Sequence, residues 1–106
     1  MDLKQLTAKA IEIKELYTKL NIKNCNKPWG ASEYMQGLVG DVGDLSKLIM
    51  AKGNYRYIDA VDEKITHELS DCLWAILVIA NELKVDIGHE FLSSMDKLRD
   101  QISQKQ

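Results

Sequence analysis

The sequence predicts an all-α fold, a four-helix antiparallel bundle-like subunit that assembles into an oligomer. Three observations predict it. Apolar residues recur at spacings of three and four over most of the chain. The single proline, Pro28, falls between helical segments, and no stretch alternates in the manner of a strand. The third helical segment is apolar on two sides, and four short helices cannot bury both within one subunit.

The first helix begins at residue 3. Leu3, Leu6, Ala10, Ile13, Tyr17 and Leu20 form its seam, and it ends before the loop Asn21 to Pro28. Its lysines (Lys4, Lys9, Lys14, Lys19) read as a solvated face. The second helix starts near Gly30 to Ser32, with Met35, Leu38, Val42, Leu45 and Ile49 as seam and Gly53 as its stop. Gly37, Gly40 and Gly43 lie inside it, each costing about 1 kcal/mol relative to alanine. The expectation is that another helix or a ligand approaches the backbone there. After a loop from Asn54 to Asp59, the third helix runs from about Asp59–Asp62 to Lys84. Its face is Ile65, Leu69, Cys72, Ile76, Ala80 and Leu83, with Trp74 and Val78 on the opposite side. Burial of Trp74 by a second subunit is expected. Asp86 caps the fourth helix, whose seam is Ile87, Phe91, Met95, Leu98 and Ile102, before a fraying tail from Gln101 to Gln106.

Composition narrows the function. The 106 residues suffice for one domain, and a net charge of −2 gives no basic field for nucleic acid. The longest apolar run, Cys72 to Ala80, is too short for a bilayer, and Met1-Asp2-Leu3-Lys4 opens no secretory signal. Cys25 and Cys72 form no disulfide framework or metal-ligand spacing. A cytoplasmic location, with no membrane and no nucleic-acid polymer as partner, is expected.

Two acidic pairs stand out, Asp41-x-x-Asp44 and Glu68-x-x-Asp71. Residues three apart on a helix are neighbours, so the charges in each pair repel. Antiparallel packing of the second and third helices brings the pairs face to face. Carboxylates gathered among apolar residues call for a cation, and hard oxygen ligands favour Mg²⁺, with Mn²⁺ or Ca²⁺ next. Zinc is disfavoured because the neighbouring His67 reads as pointing away from the acids and Cys72 as a small core residue. A di-iron site is disfavoured because neither His67 nor His89 follows a glutamate by three. The bland reading is two solvated helix faces.

These motifs resemble the MazG-like all-α nucleoside triphosphate pyrophosphohydrolases. That family carries Glu-x-x-Glu on one helix and Glu-x-x-Asp on the next. Residues 37 to 45 look like the first motif with aspartate for both glutamates; residues 67 to 74 look like the second, complete at Glu68 and Asp71. The likeness runs from about 27 to 100. It implies one domain over 1–106: a first helix and loop (1–30), a metal-binding helical core (31–100) and a polar tail (101–106). It also implies Mg²⁺-dependent cleavage of NTPs or dNTPs to a nucleoside monophosphate and pyrophosphate, a role in nucleotide-pool house-cleaning, and a homodimer or homotetramer. Asp41, Asp44, Glu68 and Asp71 would hold the metal and serve catalysis. A lysine and an asparagine of some relatives are matched here by Ser94 and Leu98. The alternatives are a catalytically weak nucleotide-binding or regulatory protein on this scaffold, and a structural helical interaction module.

Two further residues are candidates for substrate contact. Trp29 either stacks on a nucleobase or covers the start of the second helix. Lys64 either meets a phosphate or pairs with Glu68 one turn on. Lys47, Lys52 and Arg56 read as surface charge, and His67 as pointing away from the acids.

Overall fold

The computed structural model describes residues 2–24 and 27–105. Among them are four helices and no strand: α1 (Leu3–Lys23), α2 (Ala31–Lys52), α3 (Val61–Glu82) and α4 (Ile87–Gln104). Cys25 lies outside the described residues.

Local chemistry sets the starts. Asp2 and Gln5 form a reciprocal capping box at α1, with the Gln5 amide donating to Asp2 Oδ1 at 2.9 Å and the Asp2 amide to Gln5 Oε1 at 2.8 Å. Gly30 opens α2, its amide donating to Glu33 Oε1 at 2.8 Å. Asp86 caps α4 as expected, accepting from the His89 amide at 3.2 Å.

Two boundaries differ from expectation, and the stop at Gly53 agrees with it. Helix α1 runs on through Asn21, Ile22 and Lys23, because asparagine lowers helix propensity without breaking a helix. The tail stays helical to Gln104. Gly53 is the C-cap of α2 at an ordinary φ of −83°, and the left-handed turn falls on Asn54 at φ 67°.

The chief difference is the phase of the seams. On α2 the buried or half-buried stripe is Tyr34, Leu38, Asp41, Leu45 and Leu48. On α3 it is Val61, Ile65, Glu68, Cys72, Ala75, Ile79 and Glu82. Both follow alternating spacings of four and three, the period of helices packed side by side. Asp41 and Glu68 therefore stand inside the α2–α3 seam, where apolar residues normally sit. Met35, Val42, Ile49, Leu69, Ile76 and Leu83, expected inside, are exposed.

Helix α1 packs on α3 around Ala10, and the core gathers Ala10, Tyr34, Leu77 and Val78. Val78, on the side opposite the expected seam and expected to be buried there, has 0% exposure. Trp74 is half-buried, with α1 of the same chain supplying cover. Its Nε1 donates to the Ala10 carbonyl at 3.0 Å, and its ring meets Tyr17 and Tyr34 edge-on. Lys14, expected on a solvated face, pairs with Glu82 and ties α1 to the end of α3.

Helix α4 leaves this three-helix unit. Ile87 packs against the core, but Phe91, Met95, Leu98 and Ile102 are all exposed. The radius of gyration is 17.1 Å, against roughly 13 Å for a compact chain of this length. The expected bundle is thus three packed helices and a fourth that projects.

Candidate functional site

The antiparallel approach of α2 and α3 brings the acidic pairs together. Asp41, Asp44 and Glu68 each offer an oxygen, and these lie within 4.8 Å of one another. Asp71 stands just outside that set, where its Oδ2 meets Nε2 of His67 at 3.2 Å. His67 thus borders the cluster instead of pointing away from it.

The electrostatics match the geometry. Burial pushes the Glu68 carboxyl above its usual range, and the charges of Asp41, Asp71 and Asp44 push it further. Burial does the same for Asp41, followed by the charges of Asp71 and Asp44. The Cys72 thiol, one turn beyond Glu68, is raised by burial and then by Asp41, Glu68 and Asp71. His67 partly relieves Asp41 and Glu68. Glu68 Oε2 is buried without a hydrogen-bond partner. A buried carboxylate oxygen without a partner costs free energy unless a cation meets it. Three converging carboxylates with one such oxygen are a fitting donor set for a divalent cation of oxygen preference.

Next to the acids opens a cavity of about 540 Å³ lined by Ile13, Tyr17, Asn21, Trp29, Tyr34, Asp41, Ser70, Asp71 and Trp74. Its volume suits a drug-sized ligand. Both tryptophans of the chain and two of its four tyrosines form the wall. Trp29 meets Tyr34 edge-on at 5.6 Å between ring centres. Asp41 and Asp71 belong to both the acidic region and the cavity, so the two are continuous.

Other candidates fall elsewhere. Lys64 is exposed, makes no ion pair with Glu68 among the described residues and does not line the cavity. The expected pairing is absent. Lys52 is engaged with Asp62 at 2.6 Å. Ser94 is exposed on α4, and Leu98 is 46% exposed. Nothing lies within 4 Å of a Cβ built at Gly37, Gly40 or Gly43, so among the described residues no other element makes the close approach expected there. The wall residues Tyr17, Asn21, Tyr34 and Trp74 were not singled out from sequence as contacts for a ligand. Their common signal is aromatic clustering on three helices, which only the packing of α1 on α3 reveals.

The family model for the MazG nucleotide pyrophosphohydrolase domain matches residues 30–103. The chain belongs to this family. The match starts at the cap of α2 and takes in both acidic pairs of the MazG domain, while α1 precedes it. No curated protein and no solved structure matches the chain. No helix among the described residues is long and apolar enough to cross a membrane.

Proposed function

We propose that this MazG-family protein hydrolyses nucleoside triphosphates, NTPs or dNTPs, to the monophosphate and pyrophosphate, with Mg²⁺ as cofactor and Mn²⁺ as a substitute. The observation that carries the reading is the convergence of Asp41, Asp44 and Glu68, with Glu68 also holding a buried oxygen that has no hydrogen-bond partner.

Asp41, Asp44 and Glu68 are assigned as ligands of the cation. When bound, the cation supplies the positive charge that offsets the triphosphate and makes water a better nucleophile. Asp71 stands outside the tight set and borders the cavity. It is the carboxylate suited to hold the attacking water and take its proton, with His67 fixing its orientation. Water attacks the α-phosphorus, the bond to the β-phosphate oxygen breaks, and pyrophosphate leaves. The aromatic cavity receives the base, with Trp29 as a stacking surface. Removal of unwanted nucleotides is the role such an activity would serve.

Exposed apolar residues support an oligomer. Val39 is 60% exposed, Leu92 65% and Phe91 55%, and α4 carries its apolar stripe in solvent. Exposed apolar residues in this number fit an interaction site. A second copy of the chain is the occupant proposed, giving a homodimer or homotetramer.

The test is pyrophosphate release from a panel of NTPs and dNTPs with Mg²⁺ or Mn²⁺. Glu68→Ala and Asp71→Ala should each lower the rate at least ~100-fold, as expected when a metal ligand or proton acceptor is lost. Undiminished release from both variants sinks the assignment. Aspartate at both positions of the first motif favours a second reading, a nucleotide-binding protein of weak activity. Nucleotide binding without release would decide for it.

A further inference from the structure

We propose that α1 reads the nucleobase, with the Asn21 carboxamide as the group that distinguishes one base from another. This rests on the nucleotide reading above and adds to it the residue that sets base preference.

The aromatic wall cannot discriminate by itself, because every base presents a π face. Discrimination needs a side chain whose donors and acceptors meet the edge of the ring. Among the described residues the Tyr17 and Tyr34 hydroxyls form no hydrogen bond, but a lone hydroxyl donates or accepts equally well and so does not separate one ring edge from another. The polar groups of Trp74, Ser70, Asp41 and Asp71 are committed. Trp74 Nε1 donates to the Ala10 carbonyl at 3.0 Å. The Ser70 hydroxyl donates to the Thr66 carbonyl at 3.1 Å. Asp41 and Asp71 belong to the acidic end. Asn21 is half-buried, and its side chain bonds to no other residue among the described ones. It offers an acceptor oxygen and an NH₂ donor from one planar group.

Its position is also suitable. Asn21 and Trp29 line both the aromatic cavity and the adjoining one formed with Lys27, Pro28 and Glu33. A ring stacked on Trp29 therefore has Asn21 at its border. Asn21 and Tyr17 sit on α1, outside the family match at 30–103. The matched region holds the acids that handle phosphate, and α1 adds a wall that the match does not include.

The chemistry predicts how the preference can be moved. A carboxamide pairs with an edge that presents both a donor and an acceptor. A carboxylate in its place only accepts, so it favours bases bearing an exocyclic amino group over those bearing a carbonyl there. Asn21→Asp should thus favour cytosine over uracil.

The experiment compares the full chain with Asn21→Asp and Asn21→Ala. The first measurement is kcat/KM for pyrophosphate release from dCTP and dUTP with Mg²⁺. The second is quenching of tryptophan fluorescence by the α,β-imido analogues of the same nucleotides, which reads base binding directly because Trp29 and Trp74 both line the cavity. Asn21→Asp should move the dCTP-to-dUTP ratio toward dCTP by about tenfold or more, and Asn21→Ala should bring the ratio toward one. A wild-type ratio in both variants overturns the proposal, as does hydrolysis with no fluorescence response to either analogue. Absence of release together with a shifted quenching ratio upholds the base-reading role and rejects hydrolysis alone. Absence of both release and quenching rejects both.

Discussion

The α2–α3 seam and helix α4 break the same rule in opposite directions. The seam holds acids at positions that its spacing reserves for apolar residues, with Asp41 between Leu38 and Leu45 and Glu68 between Ile65 and Cys72. Helix α4 holds apolar residues at regular spacing where only solvent meets them. Each region lacks something that the chain itself does not supply. The seam lacks positive charge, and α4 lacks an apolar surface. A pattern that is regular but unsatisfied teaches more about function than one that is satisfied.

The largest effect expected in the seam comes from Glu68→Gln. It removes one buried charge and keeps the shape. Without metal the variant should melt higher than the parent, and the stabilisation by Mn²⁺ should vanish. For the parent that stabilisation is about 2.7 kcal/mol at a hundredfold excess over Kd. Thermal melts with and without Mn²⁺ check both halves, and an intact Mn²⁺ shift in the variant breaks the comparison on the seam side.

On the other side, Leu98→Asp should leave the three-helix unit folded and abolish self-association. Sedimentation velocity should then report a monomer where the parent reports a larger species. A parent that is already monomeric would end the assignment of α4 to a second copy.

A smaller effect is the response of the metal-free protein to pH. Asp41 and Glu68 have folded-state pKa values raised above 3.8 and 4.5, first by burial and then by neighbouring carboxylates. The folded state therefore holds protons more tightly than the unfolded chain. The stability this contributes is present below those ordinary values and is lost as pH rises through the raised ones. Melting temperature without metal should fall across that window, and the Mn²⁺ increment should grow across it. A flat increment counts against these two groups as ligands.

The smallest effect tests the glycines. Gly40 has open space where a methyl group would go. Gly40→Ala should stabilise by about 1 kcal/mol through helix propensity. A loss of stability instead would place a second copy against that side of α2.

Much of this was legible in the residues. The four helices, the cap at Asp86 and the facing of the two acidic pairs follow from spacing and local chemistry. Apolar periodicity alone places the seams about a sixth of a turn away from where they lie, because it passes over an acid. Counting Asp41 and Glu68 as seam members restores the run Tyr34, Leu38, Asp41, Leu45, Leu48 and its counterpart on α3. The cover of Trp74 was illegible for another reason. It depends on how α1 meets α3, and a hydrogen bond to the Ala10 backbone leaves no mark in side-chain pattern. Asn21 reads as loop from sequence because asparagine and lysine crowd the stretch before Pro28.

The acids in the seam also bear on how the chain reaches its fold. Helices α2 and α3 are joined by residues 53–60, so their pairing is local and closes early. That same closure drives Asp41 and Asp44 against Glu68 and Asp71. Like charges must meet in the step that would otherwise be fastest. A divalent cation captured at that moment would then hasten folding as well as hold the finished site.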